Sequence, residues 1–161
     1  MKKFLLIVFS VIALAIICLY VFIPGKLEIS KDEHMKFPAT SASRVLNDTI
    51  AWQKWWPEKD GFFKKDKNGK EVFYYRGFQY QLIEKYDSGV NVMINSDKLA
   101  INSKIDMIKI NSDSIMLSWK CDITTGFNPV SRFLKYRQAK EIKQNMTVIL
   151  GSLRSFLEDK K

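Results

Sequence analysis

The chain has 161 residues, 47% of them hydrophobic and 13% aromatic, enough for one domain with a packed core plus an appendage. That apolar content excludes a wholly disordered chain. The formal net charge of +9 is concentrated in residues 129–161, which hold 8 basic and 3 acidic residues, and neither a CxxC pair nor a Cys/His cluster is present to bind structural zinc.

Lys2 and Lys3 open the chain, and Phe4 to Ile23 follow without a charge. That run has the length of a membrane-spanning helix. A cleaved signal peptide also begins basic and then apolar, but its apolar core is shorter, and no small-x-small site precedes Pro24-Gly25. Ile16 and Ile17 put bulky side chains where a lipoprotein cleavage site before Cys18 wants small ones. The sequence therefore predicts an uncleaved anchor over residues 1–25 and a domain over residues 26–161. The lysine pair points to a cytoplasmic N-terminus and an extracytoplasmic domain, although Lys26, Lys31 and Lys36 reduce the asymmetry.

Pro24 and Gly25 break the helix, and Leu27, Ile29, Met35 and Phe37 then alternate roughly with polar neighbours, as a first strand does. Pro38 ends it. Ala39 to Trp56 reads as two short helices, the first capped by Ser41 or Ser43, the second by the Asn47-Asp48-Thr49 break. Trp52, Trp55 and Trp56 follow at helical spacing before Pro57. Two readings of this cluster stand: a plug sealing one end of a core, or aromatic faces that meet a ligand.

Asp60 to Lys70 is charged and carries a hairpin signal at Asn68-Gly69. From Glu71 the pattern belongs to strands: Val72 to Tyr75, Phe78 to Ile83, Val90 to Ile94, Leu99 to Ile110 and Ile115 to Ile123. Connections between them are short and rich in Gly, Asn, Asp and Ser. In the last strand Ile115, Leu117, Trp119, Cys121 and Ile123 share one face, and polar residues dominate the other, as in an antiparallel sheet with one buried side.

The longest helical signal outside the apolar run lies between Asn128 and Lys161. Ile142, Met146, Ile149, Leu150, Leu153, Phe156 and Leu157 form one stripe, and Asn128-Pro129 is a good helix start. Phe133 and Leu134 fall off that stripe and Lys135 falls inside it, which predicts a bend between Tyr136 and Ala139. The basic residues Arg132, Lys135, Arg137, Lys140 and Lys143 allow two readings: a solvated face, or a face toward an anionic membrane surface. No aromatic interleaving accompanies them, so nucleic acid is not an expected partner. Element order makes the class α+β.

Catalytic chemistry finds little support. His34 is the only histidine, beside Asp32 and Glu33 on a half-exposed strand, and no nucleophile elbow or glycine-rich phosphate loop occurs. Among the scattered acidic residues only Glu84 with Asp87, or Asp106 with Asp122, could approach one another, more naturally as rim charges. Asn47-Asp48-Thr49 and Asn145-Met146-Thr147 match the glycosylation pattern, the second inside the predicted helix. No catalytic residue, cofactor or metal is assigned, an enzyme is not the expected class, and oligomeric state is not legible.

Several strings, in this order, resemble the START-like SRPBCC superfamily, the polyketide-cyclase and lipid-transport kind of helix-grip domain. They are IPGKLEISK after the anchor, LNDTIAWQKWWP in the small helices, LSWKCDITTGFNPVSRFLKY at the last strand, and KEIKQNMTVILGSLRSFLE in the closing helix, spanning residues 24–159. The resemblance implies a curved antiparallel sheet of about six to seven strands gripping the long helix, with a cavity between them. It points in particular to membrane-anchored bacterial members in which a gyrase-inhibitor-like effector-binding domain follows. No stretch of these residues matches that second domain, so its regulatory role is not carried over. A superfamily of lipid carriers, hormone receptors and cyclases implies no single reaction.

The expectation is a membrane-anchored binding module for a hydrophobic or lipid-like small molecule. The alternatives are an interaction or structural domain whose cavity is filled by its own side chains, and an enzyme of cyclase or hydrolase type. Cavity lining is assigned to Trp52, Trp55, Trp56, Tyr74, Phe78, Tyr80, Met107, Leu117 and Trp119. Residues two apart in a strand share a face, which groups Phe78 with Tyr80 and Leu117 with Trp119; Tyr74 lies across a turn from them. Tyrosine hydroxyls and the Trp119 indole N–H are the expected polar handles.

Overall fold

Apolar alternation along successive strands is satisfied by one seven-stranded sheet closed over a single long helix. The computed structural model describes residues 2–57, 63–65, 69–97 and 99–159. Its elements are helix α1 (Lys2–Phe22), strand β1 (Lys26–Met35), helices α2 (Ala39–Asn47) and α3 (Thr49–Trp55), strands β2 (Phe63–Lys65), β3 (Glu71–Tyr75), β4 (Phe78–Tyr86), β5 (Gly89–Ser96), β6 (Leu99–Lys109) and β7 (Ile115–Thr124), and helix α4 (Pro129–Glu158). Strand order is β1-β7-β6-β5-β4-β3-β2, antiparallel at every pairing. A meander thus runs from β2 to β7, and β1 returns to close its far edge.

The turns have the chemistry their geometry demands. Tyr75 pairs directly with Phe78, so Arg76 and Gly77 form a two-residue loop, and both have positive φ, 47° and 78°. Only that backbone matches the twist of the flanking strands. Gly89 opens β5 where an added Cβ would lie 2.0 Å from the Ile105 carbonyl oxygen and 2.7 Å from the Tyr86 hydroxyl. No side chain fits there. The predicted Asn68-Gly69 turn falls largely outside the described residues, but β2 pairs with β3, which adds a strand to a segment read from sequence as a charged connection.

One face of the sheet is mainly apolar. Register puts Phe73 opposite Tyr80, Tyr80 opposite Ile94, Val92 opposite Ser103, Ile105 opposite Trp119 and Cys121 opposite Ile29, so these side chains share the side that meets α4. A bulge between Leu82 and Glu84 interrupts β4 only after Phe78 and Tyr80 have been placed. From α4, Ala139, Ile142, Met146, Ile149, Leu150, Leu153 and Leu157 are buried against it. Among the described residues, thirty hydrophobic side chains form this one core. Each buried aliphatic side chain contributes roughly 1.5–3 kcal/mol of transfer free energy, which is why the stripe and the sheet face must coincide.

Two expectations are corrected, at α2 and at the end of β1. α4 runs as one continuous helix from Pro129 to Glu158, through Tyr136 to Ala139. In its first turns Phe133 and Tyr136 border an apolar cleft whose other wall is α1, while Lys135 reaches back to donate to the Thr124 carbonyl at 2.6 Å. α2 is not capped by Ser41 or Ser43: it starts at Ala39 behind Pro38, which offers no side-chain acceptor. Strand β1 stops at Met35, leaving Phe37 in the connection. By contrast Asp48 caps α3 through the Ile50 N–H at 2.9 Å, and Asn128 caps α4 through Val130 and Ser131.

α1 has no buried residues and is long and apolar enough to cross a membrane, a test that a signal sequence also passes. Its exit is packed rather than loose. Ile23 joins the core, and Thr125 donates from its N–H to the Gly25 carbonyl at 2.9 Å and from its hydroxyl toward the Pro24 and Gly25 carbonyls.

Candidate functional site

The short helices α2 and α3 cover one end of the sheet, and the spacing of their tryptophans aims all three indoles inward. Trp52 is fully buried, Trp55 and Trp56 nearly so. Trp52 and Trp56 stack at 5.7 Å with an interplanar angle of 9°, and Phe73 touches both at 5.4 and 5.1 Å. The chain of rings continues through Tyr80, 5.4 Å from Trp56, to Trp119, 6.0 Å further, both in edge-on contact. Such offset and edge geometries are the favoured ones for aromatic quadrupoles.

Polar atoms in this cluster are placed individually. The Trp52 indole N–H donates to the Leu46 carbonyl at 2.8 Å, and that of Trp56 to the Tyr74 carbonyl at 2.9 Å. Trp119 donates to the Ser103 hydroxyl at 3.0 Å, which in turn donates to the Val92 carbonyl at 2.7 Å. The amide of Asn145, buried on α4, donates to the Tyr80 hydroxyl at 3.2 Å. The Trp55 indole nitrogen is buried without a partner among the described residues. Burial drives the Tyr80 hydroxyl well above the ordinary phenol range, an effect only partly offset by the Asn145 bond. Tyr80 therefore stays a neutral hydrogen-bonding group at physiological pH and not a base.

Of the nine residues assigned to the lining, Trp52, Trp55, Trp56, Phe78, Tyr80, Leu117 and Trp119 lie together in the core, with Met107 half-buried opposite Leu117. Tyr74 does not join them. It pairs with Gln79 on the other side of the sheet, and its neighbours Phe73 and Tyr75 take the α4 side because Phe73 faces Tyr80. Sequence reasoning also missed Ser103 and Asn145. Both carried a signal: each is a polar residue at an apolar phase, Ser103 between Ile101 and Ile105, Asn145 one turn from Ile142 and Ile149. Burial of the Asn145 amide also removes that position as a glycan acceptor.

The basic residues of α4 differ in their surroundings. Arg132 is buried, its guanidinium 4.7 Å from the Tyr20 ring centroid. Lys135 bonds Thr124, Arg137 pairs with Glu141 at 3.3 Å, and Lys140 lies over the Tyr136 ring. Lys143 remains exposed. His34 is exposed opposite Met116, on the outer sheet face. Asp106 accepts from the Tyr86 hydroxyl and pairs with Lys104, whereas Asp122 pairs with Lys26, so these two carboxylates serve different partners. Among the described residues no group of three metal-ligating side chains converges. Open clefts of about 490 and 640 Å³ lie outside the aromatic cluster, along the first turns of α4 and on the outer sheet face.

No protein-family model matches the sequence, and no curated protein does. Solved structures do match in shape. Norcoclaurine synthase from Thalictrum flavum, solved with dopamine and hydroxybenzaldehyde, superposes with a TM-score of 0.64 at 9% identity, over 84% of this chain and 88% of that one. CalU16 from Micromonospora echinospora gives 0.57 at 12% identity, over 80% and 73%. A START superfamily protein from Mycobacterium smegmatis gives 0.54 at 14% identity, over 83% and 99%. Seven antiparallel strands gripping one C-terminal helix, superposable on these structures, make this a START-like helix-grip fold.

Proposed function

We propose that the chain is a membrane-anchored binding module, residues 1–25 serving as anchor and residues 26–161 as a START-like domain for a hydrophobic or lipid-like small molecule. The observation that carries this is the Tyr80–Asn145 pair: two polar side chains held at 3.2 Å from a sheet and a helix, deep in an apolar face that needs neither for its core. A buried polar pair costs desolvation that leucines in the same places would avoid. In a fold that holds small aromatics in norcoclaurine synthase, such a pair is suited to orient a mostly apolar guest. Uptake then requires α3 to move, because Trp52 and Trp56 close the end of the grip. The lysine pair at the N-terminus orients the domain away from the cytoplasm.

Full occupancy of the face by Trp52, Tyr80 and Trp119, none of them exposed, favours a second reading, a self-filled domain that binds through its surface. Native mass spectrometry of the full chain, purified in detergent and mixed with extracted lipids, separates the two. A binding module retains a small-molecule adduct that Asn145→Leu and Tyr80→Phe weaken. A chain that carries no adduct, or one that both variants retain unchanged, overturns the binding reading in favour of the self-filled domain.

A further inference from the structure

α1 and α4 meet where the chain enters the domain. The Tyr20 hydroxyl donates to the Phe127 carbonyl, Arg132 covers the Tyr20 ring, and an open apolar cleft of about 510 Å³ separates Leu19 and Phe22 from Phe133 and Tyr136. The first turns of α4 therefore stand level with the last turns of α1. A span of roughly 30 Å at about 1.5 Å per residue uses the whole uncharged run from Phe4 to Ile23. Level with Leu19 and Phe22 is thus the upper part of the leaflet from which the domain emerges, and not the water above it.

The side chains there suit that depth. Phe127 is 91% exposed and Val130 66%, with Phe133 and Leu134 nearly half exposed. Val130 and Leu134 line one open cleft and Phe133 the α1–α4 one, so apolar side chains border the first turns of α4 on two sides. In the interfacial zone they meet acyl chains, with Tyr20 at the headgroup level and Lys135 and Arg137 able to extend their ammonium and guanidinium groups upward. Arg132 is buried over Tyr20, and its Nε–H finds no partner among the described residues. A buried guanidinium with an unmet donor, one turn from Lys135, asks for an anion.

We propose that this corner binds an anionic phospholipid, its acyl chain in the α1–α4 cleft and its phosphate on Arg132 with Lys135. The inference rests on α1 spanning the bilayer, and the test keeps the two apart. The full chain carrying Cys18→Ala, which leaves only the buried Cys121, is reconstituted in phosphatidylcholine vesicles with a minor share of phosphatidylglycerol. An environment-sensitive fluorophore is attached in turn through Ile12→Cys, Val130→Cys and Asp113→Cys, the last in the turn at the opposite end of β7. Quenchers are phosphatidylcholine spin-labelled deep in the acyl chain, and phosphatidylcholine and phosphatidylglycerol spin-labelled near the headgroup end of the chain.

Quenching at positions 12 and 130 but not at 113 is the expected result. The phosphatidylglycerol quencher should be favoured at position 130 by roughly fivefold, the equivalent of about 1 kcal/mol for one interfacial charge, and Arg132→Gln should remove that preference while depth quenching persists. If 12 is quenched and 130 behaves like 113, the anchor stands and this inference falls. If 12 is not quenched, both fall. Equal quenching by the two lipids in the unsubstituted Arg132 background overturns the phosphate site.

Discussion

Cys121 and two tyrosines show what burial does to single groups. The thiol is pushed up from 9.0 to about 12, first by desolvation and then by the neighbouring Asp122. Tyr80 is raised by burial, and Tyr86 by burial and by donating at 3.1 Å to the Asp106 carboxylate, so both lie above the usual phenol range. All three are acids whose neutral form the fold prefers. Their folded values exceed their unfolded ones, so the stability they contribute is complete below about pH 9, the usual thiol value, and is lost as pH rises. The thermal midpoint should be flat from neutral pH to about that point and fall steadily above it, with Tyr86→Phe and Cys121→Ala each flattening the alkaline limb. A midpoint unchanged far into alkali would sink this account. Residue positions of this kind were only half legible in the sequence. Trp119 and Cys121 followed from alternation in β7, but which of Phe73 and Tyr74 faces α4 depends on the register set by the Arg76-Gly77 turn, and both residues read alike in composition.

At the scale of elements, α4 carries most of the fold. It was the clearest signal in the sequence because its stripe, its Asn128 cap and its Pro129 start are all local. What its first turns face was not legible, since Phe133 and Tyr136 border a cleft whose other wall lies more than a hundred residues away in α1. The cap satisfies two backbone donors, those of Val130 and Ser131 at 2.9 and 3.2 Å. Asn128→Ala should therefore cost about 1 kcal/mol of stability, and Asn128→Asp, which keeps the acceptor and complements the helix dipole, should cost less. Chemical denaturation with both variants checks this; equal loss in the two would mean that the amide, not the acceptor, matters. Toward its other end α4 is tied to the edge strand by Arg154, which bonds Glu33 at 3.0 Å and Glu158 at 3.2 Å, while Lys31 approaches Glu33 at 3.4 Å. Glu33 and Lys31 occupy the inner side of β1, where an alternation count alone expects apolar residues. The sequence reading, which took Glu33 only as a companion of His34, had no way to see that α4 supplies the compensating charge.

For the whole molecule the decisive feature is how α1 joins the domain. Ile23 is part of the core and Thr125 holds the Pro24-Gly25 carbonyls, so the exit from α1 is packed against the domain. Cleavage just before Lys26 would therefore remove a core residue and leave Thr125 without its acceptors. That gives the anchor reading a physical test beyond hydropathy. The chain recovered from cells should begin at Met1 or Lys2 and partition with membranes through high-salt and alkaline washes, because burial of twenty uncharged residues in hydrocarbon is insensitive to ionic strength whereas a merely electrostatic attachment is not. Replacing Ile12 and Leu14 with a pair of lysines should release the protein into the soluble fraction or abolish its accumulation, since each charge at the middle of a span costs about 2.5–3.5 kcal/mol on insertion scales. A mature soluble chain beginning near Lys26 would identify Phe4 to Ile23 as a signal sequence instead, and with it the packed Ile23–Thr125 joint would lose its place in the working protein.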